Sequence, residues 1–346
     1  MVECRGTVRL NVASTSPIKH VVIIVKENHG YDNYFGAFPG GNGVTMSRSP
    51  NPPPKDPDHR HAAWLSRDTT APRVQFAQAD IPHYWSYASE FSLCDNYFTD
   101  VAGPSTPNHL MLIMADSALI NNPSTNYRKK PGPPLYDQPS LPPQLDAAGL
   151  TWGNYGGYAF HYIKELAGHS GNHTSDLFAH HATAGKLPSV AWVYSEGKPS
   201  LSEHPTQNVT DGAHWTAQQL QAIVAGHLWE RTVVFITWDD WGGWFDHVVP
   251  PNVEQWNPKH AQRPADAFPQ FKGQQFRYGS RVPCLVVSPY AKKGHVSKTP
   301  RSHISVLKFC ETLFGVASIH PRLKTADDMM DCFDPGQAPL PPPVFK

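Results

Sequence analysis

Two stretches of the chain place acidic and amide side chains directly after a run of apolar residues. In HVVIIVKEN the run is followed by Glu27 and Asn28, and in TVVFITWDD it is followed by Asp239 and Asp240. Hard divalent cations prefer such oxygen ligands, and adjacent aspartates repel each other unless a positive charge lies nearby. These four residues are therefore predicted metal ligands. Taken separately, the aspartates also fit an exposed acidic turn, and the other pair fits a helix N-cap.

A third stretch, GPSTPNHL, presents hydroxyl groups where a helix is predicted to begin. Ser105 and Thr106 follow a Gly-Pro turn, and Pro107 fits the first turn of a helix. Backbone N–H groups at such a start carry partial positive charge, so they can stabilise an oxyanion or bind a phosphate. Ser105 is thus a candidate nucleophile. A serine before a helix is more often an ordinary N-cap, so its surroundings must decide between the two roles.

The apolar runs and the segments between them predict the elements that carry these side chains. Short β-branched runs of the kind found in buried, mostly parallel sheets predict strands at 20–25, 189–194, 232–238 and 282–288. Helical patterns lie at 81–91, 141–149, 216–226 and 303–315. This order indicates an α/β fold. Because functional loops follow the carboxyl ends of parallel strands, Glu27 and Asp239 are expected at one rim of the sheet.

Length and composition fit one domain. The 346 residues are 40% hydrophobic, which is enough to bury a substantial core. We expect a single domain over 1–346, with its core at about 18–318 and a proline-rich tail at 335–346. Proline-rich stretches at 50–57 and 131–143 are predicted loops, and no internal repeat is visible.

Charge and hydropathy argue against several classes of protein. The 29 basic and 29 acidic side chains cancel, so nothing favours nucleic acid as a partner. No stretch approaches the roughly 20 apolar residues that span a bilayer, so no transmembrane segment is expected. The first residues lack a basic segment followed by an apolar run, so no secretory signal is visible and the location is left open. The oligomeric state is also left open.

The cysteines do not form a recognisable metal motif. Cys4, Cys94, Cys284, Cys310 and Cys332 are an odd set without C-x-x-C spacing, which argues against a zinc-thiolate site. Disulfide pairing among them stays undecided. Cys284 and Cys310 lie in apolar runs and are expected to pack in the core.

Six motifs occur in the order in which they occur in a known family. They are ENHGYDNYFG, GPSTPNHL, SEHP, TWDDWGGWFDHVVPP, RVPCLVVSPYAKKG and SHISVLKF. In these motifs the chain resembles the bacterial phosphoesterase family, which contains non-haemolytic-type phospholipases C and related acid phosphatases. The resemblance implies an alkaline-phosphatase-like α/β/α sandwich with a mostly parallel central sheet and long loops. It also suggests a secreted or periplasmic location and a metal-assisted hydroxyl nucleophile that forms a covalent phospho-enzyme intermediate.

The resemblance assigns roles to individual residues. Glu27, Asn28, Asp239 and Asp240 look like the metal ligands of the family, for a divalent cation that could be Ca, Mg, Mn or Zn. Ser105 looks like the nucleophile, because related phosphodiesterases carry a hydroxyl residue two places before the Pro-Asn-His triplet.

Further polar residues of the motifs are expected in the pocket. Thr106 is the fallback nucleophile and a candidate for substrate binding, and Asn108 would help to hold the phosphoryl oxygens. His204, His247 and His303 resemble polar groups of the family pocket, and which of them binds metal or transfers protons is left open. Each of two histidines also has a simpler structural interpretation: His247 could cap a loop, and His303 could be the N-terminal residue of a helix.

Together these features predict a metal-dependent phosphoric ester hydrolase of the phospholipase C or acid phosphatase type. Ser105 would attack phosphorus, and His204 or His303 would protonate the leaving alcohol, which suits an acidic working pH. Glu203 and Asp246 are expected to orient neighbouring imidazoles.

The substrate and the alternatives follow from the same motifs. The substrate would be a phosphate mono- or diester, with phospholipid as one candidate. The aromatic residues near 152–162 fit either a head-group site or, more simply, the core. One alternative is a catalytically silent metal- or phosphoester-binding protein of the same fold. Another is a structural protein whose metal only holds loops together.

Overall fold

The structure is a computed structural model that describes residues 16–124, 132–196, 201–334 and 336–345. Cys4 lies outside the described residues. The α-helices are α1 (Tyr31–Phe35), α2 (His61–Leu65), α3 (Arg67–Thr70), α4 (Pro82–Glu90), α5 (Ser105–Met114), α6 (Leu141–Ala147), α7 (Leu177–Thr183), α8 (Val209–Ala225) and α9 (Ile304–Phe314). Short 3₁₀ helices span Tyr158–Tyr162, Trp229–Arg231, Pro258–His260, Pro264–Asp266, Pro269–Phe271, Pro321–Lys324 and Met330–Cys332.

The strands form one large sheet and three small two-stranded pairs. They are β1 (His20–Lys26), β2 (Ser47–Arg48), β3 (Val74–Gln75), β4 (Ser92–Cys94), β5 (Tyr97–Phe98), β6 (Trp152–Tyr155), β7 (Asn172–His173), β8 (Val190–Tyr194), β9 (Thr232–Trp238), β10 (Glu254–Gln255), β11 (Gln275–Arg277), β12 (Cys284–Val287), β13 (His295–Ser297) and β14 (Arg301–Ser302). The large sheet has the order β13-β4-β12-β9-β1-β8-β6-β7.

Strand β1 lies at the centre of the parallel part of this sheet. It pairs with β8 on one side and β9 on the other, and its register with β9 places Lys26 beside Trp238. Strands β6 and β7 continue the parallel arrangement, whereas β12 runs antiparallel to β9. The expected α/β architecture with a mostly parallel sheet is confirmed, and the run predicted at 282–288 is the one that departs from parallel pairing.

Helices cover both faces of the sheet. Trp192 of β8, the register partner of Ile23, donates a hydrogen bond of 2.8 Å from its indole to the carbonyl of Leu112 in α5. Successive side chains of a strand point to opposite faces, so Lys26 points away from the side of Ile23. Its ammonium donates to the carbonyl of Gly212 in α8 at 3.2 Å. Helices α5 and α8 therefore lie on opposite faces, and the sheet is buried between them.

The helix predicted at 216–226 begins seven residues earlier than expected, at Val209. The side chain of Asn208 caps it by accepting hydrogen bonds from the backbone N–H groups of Thr210 and Asp211. Gly212 interrupts the helical pattern, but a Cβ there would lie 2.2 Å from the side chain of Glu203. The glycine therefore records a close contact and does not mark a loop. Among the described residues, no helix is long and apolar enough to cross a membrane.

Several histidines are buried as neutral imidazoles. Burial lowers the pKa of His61 from 6.5 to about 4, and it does the same for His29 and His303. His61 donates a hydrogen bond of 2.6 Å from Nδ1 to the carbonyl of Ala102, and its ring packs edge-on against Phe271. A buried imidazolium is costly, so such a site favours the folded chain only while the imidazole is neutral.

We predict that the free energy of unfolding falls as the pH is lowered from about 6.5 towards 4, and that His61→Gln makes this fall shallower. In the unfolded chain His61 is protonated near its ordinary pKa of 6.5, whereas the folded chain resists protonation down to about 4. Acid therefore favours the unfolded chain. One pKa unit corresponds to about 1.4 kcal/mol, so the contribution of His61 approaches about 3 kcal/mol near pH 4.

Urea unfolding over this pH range measures the slope for the wild type and the variant. The control is His260→Gln, which removes an imidazole that is 44% exposed. If both variants reduced the pH dependence of the unfolding free energy equally, the dependence could not be attributed to the buried ring of His61.

Candidate active site

The ends of β1 and β9 bring two predicted metal ligands together. Strand β1 ends at Lys26 and β9 ends at Trp238, which are register partners, so Glu27 and Asp239 leave the sheet side by side. The backbone N–H of Asp239 donates to the carbonyl of Lys26 at 2.9 Å, and the N–H of Asn28 donates to Oδ1 of Asp239 at 2.9 Å. The two strand ends are thus joined directly at the rim.

The aspartate pair is buried. Asp239 and Asp240 are both 0% exposed, which rules out the exposed acidic turn. Oδ1 of Asp239 accepts from the N–H of Asp240 at 2.7 Å, and Oδ1 of Asp240 accepts from the N–H of Gly242 at 2.7 Å. One oxygen of each carboxylate is held by backbone; the second oxygen of Asp240 contacts Ser105 at 3.0 Å, and that of Asp239 lies 3.2 Å from His109.

Asn28 is held in an unusual backbone conformation. Its φ is +63°, in the left-handed region that asparagine tolerates better than most residues. The indole of Trp244 donates to its carbonyl at 3.1 Å, and a Cβ on Gly242 would lie 1.9 Å from the same oxygen. Gly242 of the WGGW loop therefore permits this close backbone approach, and the loop holds the backbone of Asn28 in place.

Ser105 points into this rim. It is the first residue of α5, and Pro104 occupies the N-cap position, so the Ser105 hydroxyl is not used as a helix cap. That hydroxyl donates to Oδ2 of Asp240 at 3.0 Å and lies 3.5 Å from Oδ1 of Asn28. The structure thus brings the candidate nucleophile into contact with residues from both strand ends.

Thr106 and Asn108 face other parts of the molecule. The hydroxyl of Thr106 contacts the hydroxyl of Tyr158 at 3.0 Å, and its N–H donates to Asn122 at 2.8 Å, so this N–H is not left for an oxyanion. The amide of Asn108 is fully buried and bonds the backbone of Val101 and of the turn before α5. The expectation that Asn108 holds phosphoryl oxygens is not supported, because its amide is engaged in holding that turn.

The electrostatics of the aspartate pair call for a positive charge. Burial and the neighbouring charge of Asp239 raise the pKa of Asp240 well above its usual range, while hydrogen bonds from Gly242 and Ser105 and the nearby His204 oppose the increase. Two adjacent buried carboxylates resist ionising together unless a cation compensates them. The donor set therefore fits the divalent cation that the sequence predicts.

His109 also belongs to this cluster, and the sequence analysis missed it. Ligand atoms of Glu27, His109 and Asp239 all lie within 4.8 Å of one another, and Nε2 of His109 is 3.2 Å from Oδ2 of Asp239. These acidic and histidine residues could hold a metal ion. The spacing in the sequence could have identified His109: it follows Ser105 by four residues, and residues four apart lie on the same face of a helix.

Two histidines flank the outer side of the cluster. His204 is half-buried and close enough to Asp240 to lower its pKa. His59, which the sequence analysis did not select, lies with Nε2 3.2 Å from the side-chain nitrogen of Asn28. Because Nδ1 of His59 donates to the carbonyl of Pro57 at 2.9 Å, Nε2 accepts from Asn28. This contact turns Oδ1 of Asn28 towards Ser105.

His303 supports the site from behind. Its ring is fully buried, Nε2 donates to the backbone carbonyl of Asp239 at 2.8 Å, and Nδ1 faces the hydroxyl of Tyr97 at 3.2 Å. Burial lowers its pKa to about 4, and both ring nitrogens are already engaged. The expectation that His303 protonates the leaving group is therefore not supported, since both ring nitrogens are engaged with protein groups.

His247 lies in a separate ionic cluster. Its N–H and its Nδ1 contact Oδ2 of Asp32 at 2.8 and 2.7 Å. Arg281 pairs with Asp32 and with both carboxylate oxygens of Asp246. His247 is therefore a structural partner of this cluster, and the catalytic role expected for it is not supported. Asp246 binds Arg281 and does not orient an imidazole as expected.

Glu203 has a structural role. Its carboxylate is 0% exposed and accepts hydrogen bonds from Tyr34, Tyr84 and Trp238, with the ammonium of Lys26 at 3.3 Å. This set corrects the expectation that its side chain orients an imidazole, although its backbone carbonyl does accept from Nε2 of His29.

A family model and several known proteins match this chain. The model of the Phosphoesterase family matches residues 18–72 and 54–317. The non-hemolytic phospholipase C of Pseudomonas aeruginosa is 26% identical over 94% of this chain and 58% of its own length, and that of Burkholderia pseudomallei is 25% identical over 86% and 55%. The non-specific phospholipase C6 of Arabidopsis thaliana is 27% identical over 88% and 69%. The chain thus spans little more than half the length of each of the two bacterial relatives.

Solved structures show the fold. The murine ectonucleotide pyrophosphatase/phosphodiesterase 5, in an inactive form bound to AMP, superposes with a TM-score of 0.50 at 9% identity, over 91% of this chain and 100% of the other. A protein from Bacteroides thetaiotaomicron gives the same TM-score at 9% identity, over 92% and 76%. The alkaline-phosphatase-like fold implied by the sequence is confirmed.

We predict that Asp240→Asn stabilises the metal-free protein and removes the stabilisation that added divalent cation gives to the wild type. The amide keeps the shape of the carboxyl group but cannot ionise, so it removes the repulsion between two adjacent buried carboxylates, and we expect the free energy of unfolding of the metal-free protein to rise. Urea unfolding with chelator and then with added cation measures both effects.

Glu203→Gln is the matched control, because that buried carboxylate is already paired with Lys26. Its loss leaves the ammonium buried without its partner, so we expect it to cost about 3–5 kcal/mol with or without cation. A loss of stability in metal-free Asp240→Asn would contradict the charge argument.

Proposed function

This chain belongs to the Phosphoesterase family, and from that membership we propose that it is a metal-dependent phosphoric ester hydrolase with Ser105 as its nucleophile. The observation that carries the proposal is the position of the Ser105 hydroxyl, 3.0 Å from Asp240 and 3.5 Å from Asn28 at the ends of two parallel strands. A metal that only held loops together would not require a hydroxyl at this point.

Ser105 attacks phosphorus in line with the departing alcohol. Asp240 accepts the hydrogen bond of the hydroxyl, fixes the direction of its oxygen lone pairs and takes up its proton as the bond to phosphorus forms; the proton returns to Ser105 when the phosphoserine is hydrolysed. A divalent cation held by Glu27 and Asp239 would neutralise phosphoryl oxygens and lower the pKa of the attacking hydroxyl. Asn28 orients its Oδ1 towards Ser105 because His59 receives its amide hydrogen. The product of this step is a phosphoserine.

His204 is the proposed proton donor for the leaving alcohol. Among the three histidines expected in the pocket, it lies near Asp240, while His303 is enclosed and His247 is bound to Asp32. Its Nδ1 donates to the carbonyl of Pro205 at 2.6 Å, which leaves Nε2 for the substrate. The same imidazole then accepts a proton from the water that hydrolyses the phosphoserine.

The charge of the site favours a phosphodiester over a phosphomonoester. Two carboxylates, those of Glu27 and Asp239, lie at one candidate cation position, and the carboxylate of Asp240 follows in the chain. Among the described residues nearby, Lys26 is paired with Glu203 and Arg281 with Asp32. A diester carries one negative charge and a monoester carries nearly two, so the diester is repelled less.

The diester choice agrees with the names of the relatives, which are phospholipases C. We therefore propose a phospholipase C-like phosphodiesterase, with the acid phosphatase as the second candidate. The aromatic residues at 152–162 fit the core better than a head-group site. Trp152 and Phe160 are buried, and their stacked rings have centroids 6.0 Å apart.

We predict that Ser105→Ala lowers turnover of a phosphodiester by at least about 1,000-fold, because the covalent step is lost. The cation-dependent shift in unfolding temperature should remain, since the metal ligands are intact. Steady-state hydrolysis of para-nitrophenyl phosphorylcholine and of para-nitrophenyl phosphate, after metal removal and stepwise restoration, measures the effect and the substrate preference.

Thr106→Val tests the identity of the nucleophile. Its hydroxyl contacts Tyr158, so its removal is expected to cost less than about tenfold. Loss of turnover in Thr106→Val with activity retained in Ser105→Ala would reverse the assignment. A wild type that binds the cation but hydrolyses neither ester would favour the catalytically silent binding protein.

A further inference from the structure

The imidazole of His109 is buried without a hydrogen bond. The residue is 0% exposed, and neither Nδ1 nor Nε2 has a hydrogen-bond partner among the described residues. Buried polar nitrogens are almost always satisfied, so an unsatisfied imidazole that faces a site calls for an explanation. Its Nε2 lies 3.2 Å from Oδ2 of Asp239 but is not aligned to donate to it.

The fold holds this ring in one orientation. His109 lies one helical turn after Ser105 in α5, so both side chains face the strand ends. The rings of Tyr158 and Tyr194 pack against the imidazole, with centroids 5.0 and 5.4 Å away. A ring that is fixed by packing and has a free nitrogen beside two carboxylates has the arrangement of a metal ligand.

We propose that His109 is a nitrogen ligand of the cation held by Glu27 and Asp239, and that it makes the site select a zinc-like transition metal over Mg²⁺ or Ca²⁺. The inference rests on the proposed function and names the metal class of that site. Mg²⁺ and Ca²⁺ take oxygen ligands, whereas imidazole suits zinc and its neighbours in the first transition row. One nitrogen and two carboxylate donors match a zinc site that keeps a position open for substrate.

The test uses the full chain freed of metal by a chelator and loaded with Co²⁺, a spectroscopic substitute for Zn²⁺. Ligation by His109 is expected to produce a strongly shifted, solvent-exchangeable imidazole resonance in the proton NMR spectrum. The signal should be present in the wild type and absent in His109→Asn. In the same variant the affinity for Zn²⁺ should fall by more than about 100-fold, beyond what loss of an orienting neighbour costs. The affinity for Mg²⁺ should change much less.

His59→Gln is the matched control, because this imidazole contacts Asn28 and is not part of the three-residue cluster. It should keep the shifted resonance and lose less than about 100-fold in Zn²⁺ affinity. The wild-type spectrum decides the matter if His109→Asn does not fold, since a Co²⁺-bound wild type without a shifted imidazole resonance overturns the proposal. A site that prefers Mg²⁺ to Zn²⁺ overturns it as well.

These results separate the proposal from the hydrolase itself. Ser105-dependent hydrolysis supported by Mg²⁺, together with an unchanged Zn²⁺ affinity in His109→Asn, leaves the hydrolase intact and refutes the ligand. Zinc bound through His109 without hydrolysis of either ester supports the ligand and refutes the hydrolase.

A second inference rests on a different part of the molecule, the C-terminal segment. The sulfur atoms of Cys94 in β4 and Cys332 lie 3.7 Å apart, and both residues are fully buried. The carbonyl of Cys332 accepts hydrogen bonds from Ser92 and Lys292, so the backbone around it is already held. The two thiols could be joined with little movement of the chain.

We infer that Cys94 and Cys332 form a disulfide when the chain folds in the presence of a small-molecule disulfide such as oxidised glutathione. Each thiol loses a proton and an electron as the sulfur–sulfur bond forms, and the oxidant is reduced to two thiols that take up both. Cys284 is the competitor, because it is the cross-strand partner of Cys94 in β12. Cys310 lies elsewhere in the core, on α9. The contact with Cys284 raises the pKa of the Cys94 thiol, the contact with Cys94 raises that of the Cys332 thiol, and burial adds to both shifts, so the bond is expected to form during folding.

The test is refolding of the full chain from urea with oxidised and reduced glutathione, followed by peptide mapping under non-reducing conditions. We expect a peptide that joins Cys94 to Cys332 and a rise in unfolding temperature of about 5 °C or more over the reduced protein. Cys332→Ser should abolish both effects, and the control Cys310→Ser should retain both. A bond between Cys94 and Cys284, or free thiols at Cys94 and Cys332 after refolding, overturns the inference.

Discussion

The parallel register of β1 against β9 is the constraint on which the site depends. It places Lys26 beside Trp238, so the next residue of each strand, Glu27 and Asp239, leaves the sheet at one point. A slip of one residue would turn every side chain of β1 to the other face. Glu27 would then no longer leave the sheet beside Asp239, and the hydroxyl of Ser105 on α5 would lose its contact with Asn28.

The same alternation divides the charges of this region into two kinds. Lys26 points into the core and meets Glu203, whose oxygens are also bonded by Tyr34, Tyr84 and Trp238. The charges of Lys26 and Glu203 thus compensate each other, and their hydrogen bonds stabilise the core next to the carboxyl end of β1. At the rim, Asp239 and Asp240 each have a backbone donor on one carboxylate oxygen, and these adjacent acidic side chains could hold a cation together with Glu27. The described contacts thus pair Lys26 with Glu203 inside the core and group acidic side chains at the rim, where the chemistry is proposed.

The sequence predicted the parts of the site that lie next to a strong local pattern. Glu27 and Asp239 come at the ends of apolar strands, and Ser105 directly follows a turn. Their places at the rim could therefore be predicted from the order of elements along the sequence. The pocket roles expected for His303 and His247 are not supported, because proximity in a motif does not reveal which way a ring points. Their hydrogen bonds to the carbonyl of Asp239 and to Asp32 depend on tertiary contacts.

Helix geometry explains why the neighbours of Ser105 were harder to place. Each residue of an α-helix is rotated about 100° from the one before it, so a residue four positions on returns to nearly the same face. His109 therefore lies with Ser105 at the rim, whereas Thr106 contacts Tyr158 and Asn108 bonds the preceding turn. Nearness in sequence favoured Thr106 and Asn108 as partners of the substrate. The helical period favours His109, and the single turn that separates it from Ser105 sets the proposed nucleophile and a candidate metal ligand on one rigid element.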